Sequence, residues 1–166
     1  MSARSELTRR LGEATRSFKS LVMCWNHGNI CRKRKVELYM ACVVSKLFYN
    51  LETLWLLKAD LSRLDAFHIK CLRRICKIPP SFVSRVSNDN VLAVSGQIKC
   101  SVLLHHRQIH LYKKIAGLPS DDIIRMLVCE PDSDSPRRWL QKRKRGRPKL
   151  QWPKCIFQMI ESSPSV

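Results

Sequence analysis

Acidic residues are scarce in this sequence. Lys and Arg together number 31 against 13 Asp and Glu, which gives a formal net charge of +18 and an isoelectric point near 10.1. So large an excess of positive charge indicates an anionic partner, and RNA or DNA is the leading candidate. The excess is spread along the chain except over residues 120–136, which indicates an extended contact area rather than a single basic arm.

Several other features that would assign a function are missing. No apolar run is long enough and free of charge to span a bilayer, because Lys46 and Glu52 interrupt the best candidate. There is no Walker loop, no glycine-rich dinucleotide turn and no endonuclease residue set, so we expect neither a cofactor nor a small-molecule substrate. Eight irregularly spaced cysteines without a secretory signal indicate reduced thiols.

Cys24, His27, Cys31 and Cys42 come closest to a metal site. Their side chains are types that bind zinc, and the turn at residues 26–29 could bring three of them together. Their spacing matches no closed four-ligand site, and Cys42 belongs to a predicted helix. We therefore expect structural thiols and no bound metal, with a zinc module as the minor alternative.

Hydrophobic periodicity predicts a mostly helical chain. An amphipathic stripe runs from Leu7 to Trp25, and we expect Gly28 to end this helix in the left-handed conformation. Ser87 or Asn88 is expected to cap a short helix. Further helices are predicted over about residues 97–116, after residues 120–122, and over residues 152–160.

Residues 31–78 predict a helical hairpin. Apolar residues recur at three- and four-residue steps over residues 36–54, which predicts one long helix. Asp60 or Ser62 is expected to cap a second helix, which ends at the pair of prolines 79–80. The short connection requires the two helices to be antiparallel. The exposed side of the second helix is predicted to carry five nucleic-acid-binding cations, Arg63, Lys70, Arg73, Arg74 and Lys77.

These patterns predict an all-α protein. We expect an antiparallel helical bundle over residues 1–130, a linker and basic segment over residues 131–149, and a short terminal helix and tail over residues 150–166. The basic tail is expected to be partly disordered, because it combines high charge with few apolar residues.

The hairpin resembles the segment after the polymerase palm in reverse transcriptases of non-LTR (LINE-type) retrotransposons. The family pattern reads roughly K-L-L-Y-G-x-E-x-W, then R-L-x-x-F-x-x-x-C-L-R-x-I-L-x-I, and residues 46–55 and 63–78 are similar to it. Asn50 stands where the family usually has Gly, and Cys76 where it has an aliphatic residue. The family's R-x-G-R-P-x-x-x-W motif is matched by Arg145, Gly146, Arg147, Pro148 and Trp152.

The resemblance implies a thumb-like bundle that contacts the phosphates of a template–primer hybrid. The family's catalytic aromatic-x-Asp-Asp motif, whose carboxylates hold metal ions, is missing from the sequence. Asp121 and Asp122 form the only adjacent acidic pair, and we expect them to begin a helix. The chain is thus expected to be a non-catalytic fragment of an RNA-directed DNA polymerase, from a truncated gene or a degenerate copy.

The basic tail suggests several roles. Its residues could contact phosphates, act as a nuclear import signal, or form an AT-hook in which an extended Arg-Gly-Arg lies in a narrow minor groove. They could also be a solvated linker without a binding role. Phosphate contact is the favoured reading, and a nuclear location is expected. The predicted binding residues of the tail are Arg137, Arg138, Lys142, Arg143, Lys144, Arg145, Gly146, Arg147, Pro148 and Lys149.

Two alternatives belong to other functional classes. An AT-hook chromosomal protein would depend on Arg145 and Arg147 and prefer A·T-rich duplex. A non-functional retrotransposon remnant would pack its helices yet bind no nucleic acid selectively. The oligomeric state is not indicated by any of these patterns.

Overall fold

A computed structural model describes residues 3–131, 133–137 and 151–162. All regular elements in these ranges are helical, apart from an isolated antiparallel bridge between Cys129 and Pro136. The all-α prediction is therefore confirmed. The helices are α1 (Ala3–His27), α2 (Arg32–Tyr39), a π-helical turn (Met40–Val44), α3 (Ser45–Phe48), α4 (Lys58–Cys76), α5 (Ser81–Ser84), α6 (Asn88–Ser95), α7 (Cys100–Ala116), α8 (Ile123–Val128) and α9 (Trp152–Ser162).

The chain divides into two compact units. Unit 1 comprises Met1–Leu51 and Leu56–Leu104, and unit 2 comprises Glu52–Trp55 and His105–Val166. The boundary that the sequence predicted after residue 130 falls inside unit 2.

Helix α1 follows the predicted apolar stripe. Leu7, Ala14, Phe18 and Trp25 are buried, at spacings that keep them on one face. The predicted left-handed cap at Gly28 is wrong, because among the described glycines a positive φ occurs at Gly96 alone. The chain leaves α1 instead through a tight turn, in which the amide of residue 30 donates to the Gly28 carbonyl at 3.0 Å.

The first helix of the hairpin is shorter and less regular than predicted. It runs from α2 through the π-helical turn into α3, and it ends at Phe48 rather than near residue 54. Asn50 then adopts a positive φ of 64°. The extra residue in the π turn shifts the buried face, so that the neighbours Val43 and Val44 are both buried.

Helix α4 begins without a side-chain cap. Its N-cap residue is Leu57, so the prediction that Asp60 or Ser62 caps it is wrong. Asp60 is buried in the first turn, where it pairs with Arg63 at 3.4 Å, and the Ser62 hydroxyl donates to the backbone of the preceding turn. The helix ends as predicted before the two prolines, with Lys77 left-handed at its C-cap.

Pairs of contacting residues show that α2 and α4 are antiparallel, as predicted. Tyr39 Oη and His68 Nδ1 are hydrogen bonded at 2.9 Å in the core. One end of the hairpin places Arg32 beside Cys76, where burial raises the pKa of the Cys76 thiol and the charge of Arg32 opposes that shift. The two helices of the hairpin therefore run in opposite directions.

Helix α1 completes a three-helix arrangement. It is antiparallel to the first hairpin helix, since Ser17 accepts from Lys46 at 3.1 Å while Arg10 lies over the Tyr49 ring. It is parallel to α4, since Arg4 pairs with Asp60 at 4.0 Å and Thr8 accepts from Arg63 at 3.3 Å. Consecutive long helices therefore alternate in direction, as in an up-down-up bundle.

The remainder of unit 1 packs on α4. Ser87 caps α6 by accepting from the Asn90 amide at 3.2 Å, as predicted. The Asp65 carboxylate accepts from the Ser101 amide and hydroxyl at 2.8 and 2.7 Å. These bonds fix the start of α7 against α4.

Unit 2 has its own small core. Tyr112 and Ile156 are buried there, which confirms that the predicted terminal helix forms and packs. Asp122 caps α8 by accepting from the Ile124 amide at 2.7 Å, so the acidic pair does begin a helix. Gln108 donates to the Leu54 carbonyl at 2.7 Å, which holds the segment after α3 in a non-helical conformation.

Protonation of His68 should destabilise the fold. Burial lowers the pKa of His68 from 6.5 to about 4, and the nearby Asp65 carboxylate only partly opposes this. An unfolded imidazole titrates near 6.5, so the contribution is complete above that pH and is lost as pH falls toward 4. We expect urea unfolding to show a loss of about 2 kcal/mol between pH 7.5 and 5.

A matched pair of variants isolates this effect. His68→Gln should remove that part of the pH dependence, whereas His106→Gln, at an exposed position on α7, should retain it. Equal pH dependence in the two variants would contradict the assignment to His68.

Candidate nucleic-acid interface

Two of the predicted cations of α4, together with the one at its C-cap, form one exposed row. Lys70, Arg74 and Lys77 follow each other at steps of four and three residues, and all three are exposed. This spacing places Lys70 and Arg74 on one face of α4, and Lys77 follows at its left-handed C-cap, so the three Cα atoms span an axial length of about 10 Å. Their position near the C-terminus of α4 is also favourable for positive charge.

Arg73 is not part of this row, which corrects the prediction that it is exposed. Arg73 is only 8% exposed, and its guanidinium donates to the carbonyls of Pro79 and Val86 at 3.0 and 2.6 Å. A third bond reaches Asn88 Oδ1 at 3.1 Å. Arg73 thus ties the loop after α4 and the start of α6 to the helix.

Arg63 is already committed to contacts within unit 1. It is half-buried, and its guanidinium reaches Asp60 Oδ1 at 3.4 Å and Thr8 Oγ1 at 3.3 Å. A carboxylate largely offsets its charge. Arg63 therefore connects α1 with α4 and is not a free cation for a partner.

The start of α2 extends the row of cations. Arg32 and Lys33 are exposed, and the antiparallel hairpin brings Arg32 beside Cys76 at the end of α4. We call Arg32, Lys70, Arg74 and Lys77 the basic face. The sequence prediction did not include Arg32, although the run of cations at residues 32–35 and the antiparallel hairpin together indicated it.

Acidic groups are paired mainly at the other end of the bundle. Glu6 accepts from Arg9 at 2.5 Å and from Arg10 at 2.9 Å, and the hydrogen bond from Arg9 holds the pKa of Glu6 below its usual range. Glu13 also binds both arginines. Near the basic face, Glu37 pairs with a neighbouring arginine on α2, which leaves the exposed Asp89 of α6 as a local negative charge.

The tail is only partly described. The Arg137 guanidinium donates to the Met126 carbonyl, and its amide donates to the Val128 carbonyl at 2.9 Å. Arg137 therefore closes the turn after α8. The following predicted binding residues lie outside the described residues: Arg138, Lys142, Arg143, Lys144, Arg145, Gly146, Arg147, Pro148 and Lys149.

The predicted thiols do not gather around a common point. Cys24, Cys31 and Cys42 are all exposed. Across residues 3–131, 133–137 and 151–162, no three His, Cys, Asp or Glu side chains are grouped closely enough to hold a metal ion. Over the same ranges, no helix combines the length and apolar character needed to cross a membrane.

Replacing Arg73 should cost far more stability than replacing its neighbour. Arg73→Leu leaves two carbonyls and an amide oxygen without their donor, for an expected loss of about 2–3 kcal/mol in urea unfolding. Arg74→Leu is the matched control at an exposed site, with an expected change within about 0.5 kcal/mol. Similar losses for the two variants would contradict the structural role of Arg73.

The basic face has the chemistry to hold phosphate groups. Lysine ammonium and arginine guanidinium groups donate to phosphate oxygens with charge assistance, and such contacts do not specify a base sequence. These assignments rest on the geometry and charge of this chain. No protein-family model, no curated protein and no solved structure matches it.

Proposed function

We propose that the protein binds RNA or DNA through its phosphates, using the basic face. The observation that carries this proposal is the exposed row of Lys70, Arg74 and Lys77, extended by the start of α2. These cations are exposed, whereas Arg10, Arg63 and Arg73 serve contacts within unit 1. A row of about 10 Å covers roughly three base pairs of a duplex.

A thumb-like origin is part of the proposal. The residues that resemble LINE-type reverse transcriptases include Leu47, Phe48 and Leu51, which are all buried. The positive φ of Asn50 also supports the resemblance, since Gly, the usual residue there, and Asn both tolerate this conformation. The role proposed is positioning of a template–primer duplex, without catalysis.

An AT-hook in the tail is a second candidate. It is favoured by the run from Arg145 to Pro148, in which Gly permits close approach to the groove floor and Pro keeps the chain extended. Unlike the first candidate, it requires A·T-rich duplex. Its binding would not depend on the basic face.

Neutralising the basic face should weaken binding to every nucleic acid and flatten its salt dependence. With Lys70→Gln, Arg74→Gln and Lys77→Gln combined, the slope of log affinity against log salt should fall by about three units. Fluorescence anisotropy with an RNA–DNA hybrid and an A·T-rich duplex of equal length, across a salt series, measures this.

The control keeps the same change in net charge. Lys19→Gln, Lys58→Gln and Lys99→Gln remove three exposed lysines spread over other parts of unit 1, and the slope should change by less than about one unit. Equal effects of the two triple variants would refute a localised face. Loss of binding only with Arg145→Ala and Arg147→Ala, together with preference for A·T-rich duplex, would favour the AT-hook.

A further inference from the structure

A groove in unit 1 lies outside the basic face. It encloses about 650 Å³ between α1 and the residues that end the first hairpin helix. Its lining includes Arg10, Arg16, Ser17, Lys46 and Tyr49. The groove therefore combines an aromatic ring with several cations.

Tyr49 offers a flat surface at this groove. The residue is 68% exposed, although it directly follows the buried Phe48. It is exposed because the backbone turns to an extended conformation at Tyr49, with ψ of 124°, and so leaves the helix. Most of the Tyr49 side chain is therefore accessible to a partner.

Arg10 holds the Tyr49 ring in place. Its guanidinium lies over the ring, 4.5 Å from the ring centroid. Arg10 itself is buried and is fixed by Glu6 at 2.9 Å and by Glu13 at 3.0 Å. The ring is therefore supported from one side by a group that cannot easily move, which makes it a preorganised stacking surface.

The cations beside the ring are available for an anion. Arg16 is exposed, and the Lys46 ammonium donates to Ser17 Oγ at 3.1 Å, a contact with a neutral group that leaves its charge uncompensated. The acidic residue of the groove, Glu13, is engaged by Arg9 and Arg10 at 2.8 and 3.0 Å. The groove thus combines an aromatic face with a net positive charge.

We propose that this groove binds an unpaired nucleotide of a single strand. The base stacks on Tyr49, and the adjoining phosphate contacts Lys46 and Arg16. This proposal deepens the proposed function, on which it rests for the nature of the partner. Inside a duplex, neighbouring base pairs cover both faces of each base, so an internal paired base cannot reach the ring.

Substitution of Tyr49 tests the stacking step. Tyr49→Leu should weaken binding of a twelve-nucleotide single strand about tenfold, while binding of a duplex of equal length stays within twofold. Tyr49→Phe keeps the ring and should retain single-strand affinity. Phe82→Leu, at an aromatic residue that is 85% exposed on α5, is the matched control and should leave both affinities unchanged.

An abasic strand of the same length separates stacking from charge. The unsubstituted protein should bind it about tenfold more weakly than the normal strand, and Tyr49→Leu should show no further difference between the two strands. Circular dichroism and thermal melting verify that each variant is folded. A similar loss for single strand and duplex with Tyr49→Leu, or no loss for either, would overturn the inference.

A measurement without substitution covers the case in which Tyr49→Leu does not fold. A single strand carrying 5-iodouridine is photocrosslinked to the full chain, and the attached peptide is identified by mass spectrometry. Crosslinking at Tyr49 supports the inference, and crosslinking only elsewhere refutes it. If the basic-face variant lowers nucleic-acid binding while substitution of Tyr49 has no effect, the proposed function stands without this site. If the protein binds no nucleic acid, both the proposed function and the Tyr49 site are refuted.

Discussion

The hydrogen bond between Tyr39 and His68 sets the register of the helical hairpin. Both side chains are buried, so this polar pair can be satisfied only in one alignment of α2 with α4. Seven residues back along α2 and eight forward along α4, the same alignment places Arg32 beside Cys76. The basic face is therefore a consequence of core register, because a shift of one helical turn would separate its two halves by about 5 Å.

Arginine has two distinct roles in this chain. Arg10, Arg63 and Arg73 are held by carboxylates or backbone carbonyls and connect one element to another. Exposed cations such as Arg74 instead remain available to a partner. The net charge of +18 thus overstates the charge free to bind phosphate, and the number of cations in a patch matters less than how each guanidinium is engaged.

Sequence periodicity predicted the helices well where burial follows a regular 3.6-residue repeat. It predicted α1, α4 and α7, as well as the exposure of Lys70, Arg74 and Lys77. It missed the π-helical turn, because a regular 3.6-residue repeat does not indicate one extra residue within a single turn. It also misplaced Arg73, whose burial depends on carbonyls in a loop that a helix pattern does not describe. Periodicity also did not predict the Tyr49 groove, because the exposure of this ring beside α1 depends on where α3 ends.

The two proposed contact regions lie at different levels of one bundle. Contacts of Arg10 with Tyr49, and of Thr8 with Arg63, place the groove near the first half of α4, whereas the basic face occupies its second half. About nine residues of α4, or roughly 14 Å, separate these levels. That axial distance corresponds to about four base pairs. A nucleic acid with a paired segment followed by an unpaired strand would present duplex phosphates to the basic face and a free base to Tyr49, which a fully paired molecule cannot do away from its ends. The two proposals together would be satisfied best by a duplex end or junction.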